Sequence, residues 1–193
     1  MQIIRRLSAL FIYKSEMQLH SLPLFPLGSV LFPGGLLPLR IFEVRYLDMI
    51  RRCITNNAPF GIVALRQGHE VRTPGGTELF WEVGTLAVIA EHENPQPGLM
   101  VVRCQGQQRF RITRSEQLKH GLWIGDVQRI DDDTSVAVPE DLRAAATALE
   151  RLMTSLQASG VADTQLPLSL PLQLQDCAWL SNRWCELLPM PLE

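Results

Sequence analysis

Two short stretches carry side chains that could bind a metal ion: "EHEN" at 91–94 and "DDDT" at 131–134. Imidazole and carboxylate groups are common ligands of zinc and calcium. On a strand, however, Glu91 and Glu93 would share one face without His92, because successive side chains point to opposite sides. The "DDDT" stretch lacks the glycine and the distal glutamate of a calcium-binding loop. We therefore predict solvated charges at a loop end and a polar linker, with no metal or other cofactor.

Motifs for nucleotide binding and for nucleophilic catalysis are missing from the sequence. No G-x-x-x-x-G-K-[ST] stretch could hold a nucleotide phosphate, and neither G-x-S-x-G nor H-E-x-x-H occurs. The four histidines, at 20, 69, 92 and 120, are scattered along the chain. The sequence therefore predicts a protein that is not an enzyme.

Charge and cysteine usage narrow the range of partners and compartments. Lysine and arginine total 18 and aspartate and glutamate 20, so the formal net charge of −2 favours neither nucleic acid nor a membrane surface. Arg109 and Arg111 alternate along a predicted strand and could face nucleic acid, but no RNA-stacking aromatic pair accompanies them. The four cysteines form no C-x-x-C pair, which predicts reduced thiols in a cytoplasmic protein.

Residues 1–16, "MQIIRRLSALFIYKSE", differ in character from the rest of the chain. Arg5 and Arg6 before an apolar run imitate a signal peptide, but no small-residue cleavage site follows and the run is too short to cross a bilayer. We predict a disordered or artefactual extension at 1–16, with a short amphipathic anchor as the alternative. The remainder divides into a β-rich domain at 17–133 and a helical extension at 134–193.

The β-rich domain consists of short apolar strands separated by proline and glycine. These strands are "LPLFPL", "LLPLRI", "FGIVALR", "LFWEVGTLAVIAE", "LMVVRCQG", "QRFRITR" and "LWIGDVQRI". A single early helix interrupts them, and helical spacing gives it one apolar and one charged face. The residues predicted to point inward are Val44, Leu47, Ile50 and Ile54, and those predicted to point outward are Arg45, Asp48, Arg51 and Arg52. The pattern predicts a mainly β fold with α elements (α+β), built as a partly open barrel.

The extension carries two helical patterns and a leucine-rich segment between them. The first helix follows Pro139 and is predicted to bury a stripe made of Leu142, Ala145, Leu149, Leu152 and Leu156. The last helix, about 176–188, places Cys177, Leu180, Trp184 and Leu187 on one face. Between them, leucine occupies every second position from 166 to 174, and prolines at 167 and 171 favour extended backbone.

The opening stretch "LPLFPLGSVLFPGGLLPLRIFEVRYLDMI" at 22–50 resembles the amino-terminal, substrate-binding domain of Lon proteases. The "VGTLAVI" and "VRCQGQQRFRI" stretches resemble two further blocks of that family, in the same order. The resemblance implies a PUA-like pseudo-barrel with one early helix, followed by helices. The chain further resembles the small free-standing bacterial relative of Lon proteases, because neither the ATPase module nor the Ser-Lys protease domain of full Lon proteases is present here.

What the resemblance implies is an interaction role, in which the protein binds peptides or unfolded segments as an adaptor. RNA binding through the PUA-like barrel is the alternative. Within the motif, Arg40, Glu43, Arg45 and Tyr46 are the candidate binding residues, although charges at a strand-to-helix junction also pair locally.

The leucine run supplies a second candidate site. Five leucines on one face must be buried, either as a strap on the chain's own barrel and helices or as an apolar partner surface beside Trp179 and Trp184. We select Leu168 and Leu170 as the residues whose substitution separates these two hypotheses. The sequence does not define the oligomeric state.

Overall fold

The computed structural model describes residues 17–71, 76, 78–162 and 166–189. Residues 1–16, for which an extension was predicted, lie outside the described part of the chain. In chain order, the elements are β1 (Gln18–Leu27), β2 (Leu36–Ile41), α1 (Val44–Asn56), β3 (Phe60–Gln67), β4 (Leu79–Gln96), β5 (Leu99–Gln117), β6 (Trp123–Arg129), a 3-10 turn (Glu140–Leu142), α2 (Arg143–Ala158) and α3 (Cys177–Leu187). The predicted fold class, mainly β with α, is confirmed.

The strands form one sheet in the order β2-β5-β4-β3-β1-β6, in which β5 also pairs with β6. This extra pairing closes five strands into a ring and leaves β2 attached outside it. The strands β1 and β3 run parallel and the other pairs run antiparallel. Inside the ring, alternate side chains form a small core that contains Leu22, Leu24, Val63, Leu86, Phe110 and Val127.

Two predicted strands, "LMVVRCQG" and "QRFRITR", are a single long strand, β5. Its first half pairs with β2 and its second half pairs with β6. The "EHEN" residues lie within β4 rather than at a loop end, although their side chains are exposed as predicted. The long β4–β5 hairpin therefore links the ring to the attached strand β2.

The helix α1 packs across the outside of the ring in the largest core cluster. Its buried face contains Tyr46, Leu47, Met49, Ile50 and Cys53. Two parts of the predicted face are wrong. Val44, at the start of the helix, is 72% exposed, and Arg45, predicted to point outward, is buried.

The helical extension has its own apolar core, to which both helices and the leucine run contribute. Asp176 caps α3, because its carboxylate accepts a hydrogen bond from the Trp179 main-chain N–H at 2.7 Å. The predicted stripe on α2 is wrong at Leu142 and Leu152, which are exposed. Leu142 belongs to the 3-10 turn. Of the predicted stripe, Leu149 is fully buried as predicted and Ala145 and Leu156 pack against the core, and Met153 adds a second fully buried side chain.

The prediction that the whole leucine run is buried is confirmed for only some of its leucines. Leu166 and Leu168 are each 2% exposed in the extension core, whereas Leu170 is 46% exposed. Leu172 and Leu174 pack against the same core from its margin. The expectation that all five leucines share a buried face is therefore wrong at Leu170.

Candidate functional site

The three family-like sequence blocks meet around one turn, residues 32–35, which we call the FPGG turn. The Thr85 hydroxyl donates a hydrogen bond to the Leu31 carbonyl oxygen at 2.6 Å. The Gly34 N–H donates to the Gly106 carbonyl oxygen at 2.8 Å, and the Gly106 N–H donates to the Gly35 carbonyl oxygen at 2.9 Å. The first block is thus fastened to the second and third by side-chain and main-chain hydrogen bonds.

The glycines of this arrangement are required by close approach. A Cβ added to Gly106 would lie 2.1 Å from the Phe32 carbonyl oxygen, and one added to Gly35 would lie 1.9 Å from Glu186 Oε1. Both distances are far below a van der Waals contact. The FPGG turn is therefore packed between β5 on one side and α3 on the other.

The helix α3 is attached to the FPGG turn by a buried ion pair between Arg183 and Glu186. The Arg183 side chain is 0% exposed, and its Nε lies 2.8 Å from Glu186 Oε2. Its Nη2 donates to Glu186 Oε1 and to the Pro33 carbonyl oxygen, both at 2.9 Å. Burial raises the pKa of Glu186 to about 7, because the carboxylate is removed from water. The extension and the barrel thus meet through two groups whose charges depend on each other.

A second connection comes from residues 166–170, which we call the strap. The Arg103 side chain on β5 donates to the Leu166 carbonyl oxygen at 2.9 Å. The Ser169 hydroxyl donates to the Gly34 carbonyl oxygen at 3.3 Å. The strap therefore joins the extension core to the FPGG turn and to β5.

An open cleft of about 660 Å³ lies at this union of barrel and extension, and we call it the junction cleft. Its volume falls within the range of about 300–1,000 Å³ that is usual for ligand sites. One wall comes from the FPGG turn and α3, and the floor comes from the middle of β5. Most of the polar groups in its lining are amides or arginines: Gln105, Gln107, Gln108, Gln173, Asn182, Arg109 and Arg129.

A β-bulge places the glutamines of β5 in the junction cleft. Gly106 pairs with Ala87 and Arg109 pairs with Thr85, so Gln107 and Gln108 stand opposite one residue of β4. Bulges re-aim side chains and interrupt pairing. Here the bulge coincides with the point where β5 leaves β2 and approaches β6.

The predicted polar residues of the motif form a different cluster, between the start of α1 and the barrel. Arg45 Nε lies 3.1 Å from Glu43 Oε2, and Nη2 lies 3.1 Å from Glu78 Oε1. Arg45 Nη1 donates to the Gly121 carbonyl oxygen at 2.7 Å. Tyr46 stacks on Phe25 with ring centroids 3.9 Å apart, and burial raises the pKa of the Tyr46 phenol. This cluster holds α1 on the barrel.

The six predicted binding residues are thus distributed over separate places. Glu43 and Arg45 contact each other, and Arg45 lies over the Tyr46 ring at 4.5 Å. Leu168 is buried in the extension core, whereas Arg40 on β2 and Leu170 on the strap are exposed. A binding role for Arg40 or Leu170 stays a prediction, while Arg45 and Tyr46 are buried in structural contacts.

Sequence reasoning did not identify the residues of the junction cleft or the ion pair beneath it. Arg183 and Glu186 are three residues apart on a helix, a spacing that usually indicates an exposed pair. The amides at 105, 107 and 108 lie inside a recognised sequence block. Their concentration at one point of a strand was the available signal.

Over the described ranges, no group of three or more histidine, cysteine, aspartate or glutamate residues could hold a metal ion. Within the same ranges, no helix is long and apolar enough to cross a membrane. Cys53 and Cys104 are buried and Cys177 and Cys185 are partly exposed, and all four are free thiols.

Comparison with known proteins places this architecture in a family. The sequence model of the ATP-dependent protease La (LON) substrate-binding domain matches residues 21–193. The chain belongs to this family. The matched model describes the substrate-binding domain and not the protease catalytic domain.

Solved and curated relatives agree with this membership. The crystal structure of a Lon N-terminal domain protein from Xanthomonas campestris is 32% identical, with a TM-score of 0.65, and the match covers 89% of this chain and 85% of that chain. The Lon protease of Anaeromyxobacter dehalogenans is 29% identical over 144 residues, which are 72% of this chain and 17% of that protein. Protein cereblon of Danio rerio is 33% identical over 101 residues, which are 50% of this chain and 22% of that protein. The chain thus spans less than a quarter of the length of these curated relatives.

Proposed function

We propose that this LON substrate-binding domain protein is a non-catalytic module that binds unfolded or extended polypeptide segments, as an adaptor. The observation that carries the proposal is the junction cleft, an open site of about 660 Å³ built where all three family sequence blocks converge. The family's description as a substrate-binding domain of a protease supports polypeptide as the class of ligand.

The charges of the barrel favour this proposal over RNA binding. Three arginines in the second half of β5 lie beside carboxylates. Arg109 pairs with Asp133, Arg111 Nη1 lies 3.8 Å from Glu82 Oε2, and Arg114 Nη2 lies 3.6 Å from Glu116 Oε2. Nucleic-acid sites need cations that remain available for phosphate groups. Neighbouring carboxylates lower the positive potential that these arginines could offer to phosphate groups.

A binding titration tests the proposal. Fluorescently labelled, reduced and carboxymethylated α-lactalbumin, which cannot refold, should bind saturably to the purified protein in fluorescence anisotropy. Unlabelled unfolded protein should compete, whereas native α-lactalbumin should not. The labelled protein should stay intact with and without ATP, because no phosphate-binding or nucleophile motif is present. Absence of saturable binding, or cleavage that a point mutation abolishes, would contradict the proposal.

A further inference from the structure

We infer that the junction cleft binds its polypeptide through main-chain amide groups, with Arg129 as the principal donor to a main-chain carbonyl oxygen. The inference rests on the proposed function and assigns it a site and a mode of recognition. Three independent features of the cleft carry it: uncommitted amide side chains, an unpartnered guanidinium nitrogen and a balance of charge.

The amide side chains in the cleft are available for a ligand. Across the described residues, no hydrogen bond engages the side-chain amides of five cleft residues: Gln105, Gln107, Gln108, Gln173 and Asn182. Each carboxamide offers both a donor and an acceptor. Each residue of an extended peptide also offers one N–H and one carbonyl oxygen. Amides in this number therefore match a main chain better than they match any one type of side chain.

The Arg129 guanidinium supplies a stronger donor in the same place. Its Nε is buried and, in the described part of the chain, has no hydrogen-bond partner. A buried N–H without a partner is costly, so a carbonyl oxygen that displaces the atoms covering this Nε would recover that cost. Arg129 lies on β6 opposite Phe110, directly beside the bulge that presents Gln107 and Gln108. One peptide segment could thus contact the guanidinium and the β5 amides together.

The charge of the cleft favours an uncharged ligand group over an anionic one. Two arginines and three aspartates line it, so the formal sum is −1. Arg109 is paired with Asp133, and Asp176 is engaged by Ser135 and by the α3 N-terminus. Phosphate or a strongly acidic peptide would meet net repulsion, whereas a neutral main chain would not.

The sheet edges are poorer sites for main-chain recognition. An added strand needs a row of free N–H and carbonyl groups. The outer strand β2 contains Pro38, which has no N–H, and β4 beyond Ala87 carries Glu91, Glu93 and Pro95. Proline and charge are the usual means of protecting an edge from pairing.

Modified peptides test the inference on the unaltered protein. The probe is a fluorescein-labelled twelve-residue peptide of repeated alanine, leucine and serine. It is compared with a shuffled peptide of the same composition and with a version N-methylated at alternate residues. We expect N-methylation to weaken binding about tenfold or more, since it removes main-chain donors, while shuffling changes the Kd less than about threefold.

Protein variants locate the site. Arg129→Met should weaken binding of the parent peptide about tenfold, whereas Arg151→Met, an exposed arginine on α2, should leave it unchanged. Asn182→Ala should weaken binding to a smaller extent and replaces Arg129→Met if the latter does not fold.

Equal binding of the N-methylated and parent peptides would overturn the inference while leaving the proposed function standing. A folded Arg129→Met protein that binds like the wild type would do the same. Failure of both the peptides and unfolded α-lactalbumin to bind would instead contradict the proposed function and the inference together.

Discussion

Replacing Gly35 with alanine should disconnect the helical extension from the barrel. The new Cβ would lie 1.9 Å from Glu186 Oε1 and 3.0 Å from the Phe32 carbonyl oxygen. Backbone strain is not the cause, because Gly35 does not have the positive φ that Gly34 has. Either the Glu186 carboxylate or the turn itself must move.

Each of these movements has a cost that the structure defines. If the carboxylate moves, the fully buried Arg183 loses its partner, and breaking a buried ion pair costs about 3–5 kcal/mol. If the turn moves, its two main-chain hydrogen bonds with Gly106 are lost, at about 1 kcal/mol each. The cheaper route costs about 2 kcal/mol, so we expect a loss of about 2–3 kcal/mol. For a chain of this size, that loss lowers Tm by roughly 4–12 °C.

The measurement is urea unfolding at about pH 8, where Glu186 is mostly ionised, followed by tryptophan fluorescence and circular dichroism. Gly28→Ala is the matched control. Its Cβ meets only the exposed Glu70 side chain, at 3.1 Å, so its cost should stay within about 0.5 kcal/mol. Both substitutions change the entropy of the unfolded chain equally.

A double-mutant cycle isolates the mechanism. In a Glu186→Ala background the 1.9 Å contact no longer exists, so Gly35→Ala should cost much less there. Equal costs of Gly35→Ala in both backgrounds would refute the claim that the glycine is needed to accommodate Glu186.

Three further predictions follow from burial. Leu168→Ala should destabilise the protein by about 2–5 kcal/mol, whereas Leu170→Ala should cost less than about 1 kcal/mol, because only Leu168 is buried; similar values in urea unfolding would contradict the strap assignment. Since the folded-state pKa of Glu186 is about 7 and its ordinary value is 4.5, its contribution to stability is complete below 4.5 and lost as pH rises through 7. Glu186→Gln should abolish this decline, worth roughly 3 kcal/mol, and an unchanged pH profile of unfolding would show that another group is responsible. Burial raises the pKa of the Cys104 thiol to about 12, so a thiol reagent at about pH 8 should modify the partly exposed Cys177 in the native protein but reach Cys104 only on unfolding.

Local pattern was sufficient to predict most of the fold. Strands were predicted at each of the six places where the structure has one, although β1 and β4 extend beyond their predicted limits and contain prolines themselves. The single early helix and the final helix were also predicted correctly from apolar spacing. The two predicted strands that proved to be one were divided after Gly106. That glycine lies within β5, and its missing side chain leaves room for the Phe32 carbonyl oxygen of the FPGG turn.

The errors arose where distant residues decide the outcome. Helical spacing assigned Arg45 to the solvent, but Glu78 and Gly121, 33 and 76 residues away, supply its partners. The alternation of leucines indicated one buried face, but it could not show that Leu170 is exposed while Leu172 and Leu174, further along the run, pack against the extension core. The Arg183–Glu186 pair has the spacing of a surface ion pair, and only its docking on the FPGG turn buries it.

The junction cleft illustrates the same limit for function. No characteristic spacing of glutamines in a sequence marks a binding site. The bulge that places Gln107 and Gln108 in the cleft depends on how β5 pairs with β4. Arg129 lies on a different strand, and its unpartnered nitrogen becomes apparent only when its neighbours are in place.

Hydrogen–deuterium exchange with saturating unfolded α-lactalbumin tests the central claim most directly, because it reports both binding and its location. We predict added protection in two segments that line the junction cleft, 105–109 and 173–182, with unchanged exchange in α1. Protection confined to α1 or to the outer edges of β2 and β4, with none in the cleft segments, would contradict the assignment of the cleft as the polypeptide-binding site.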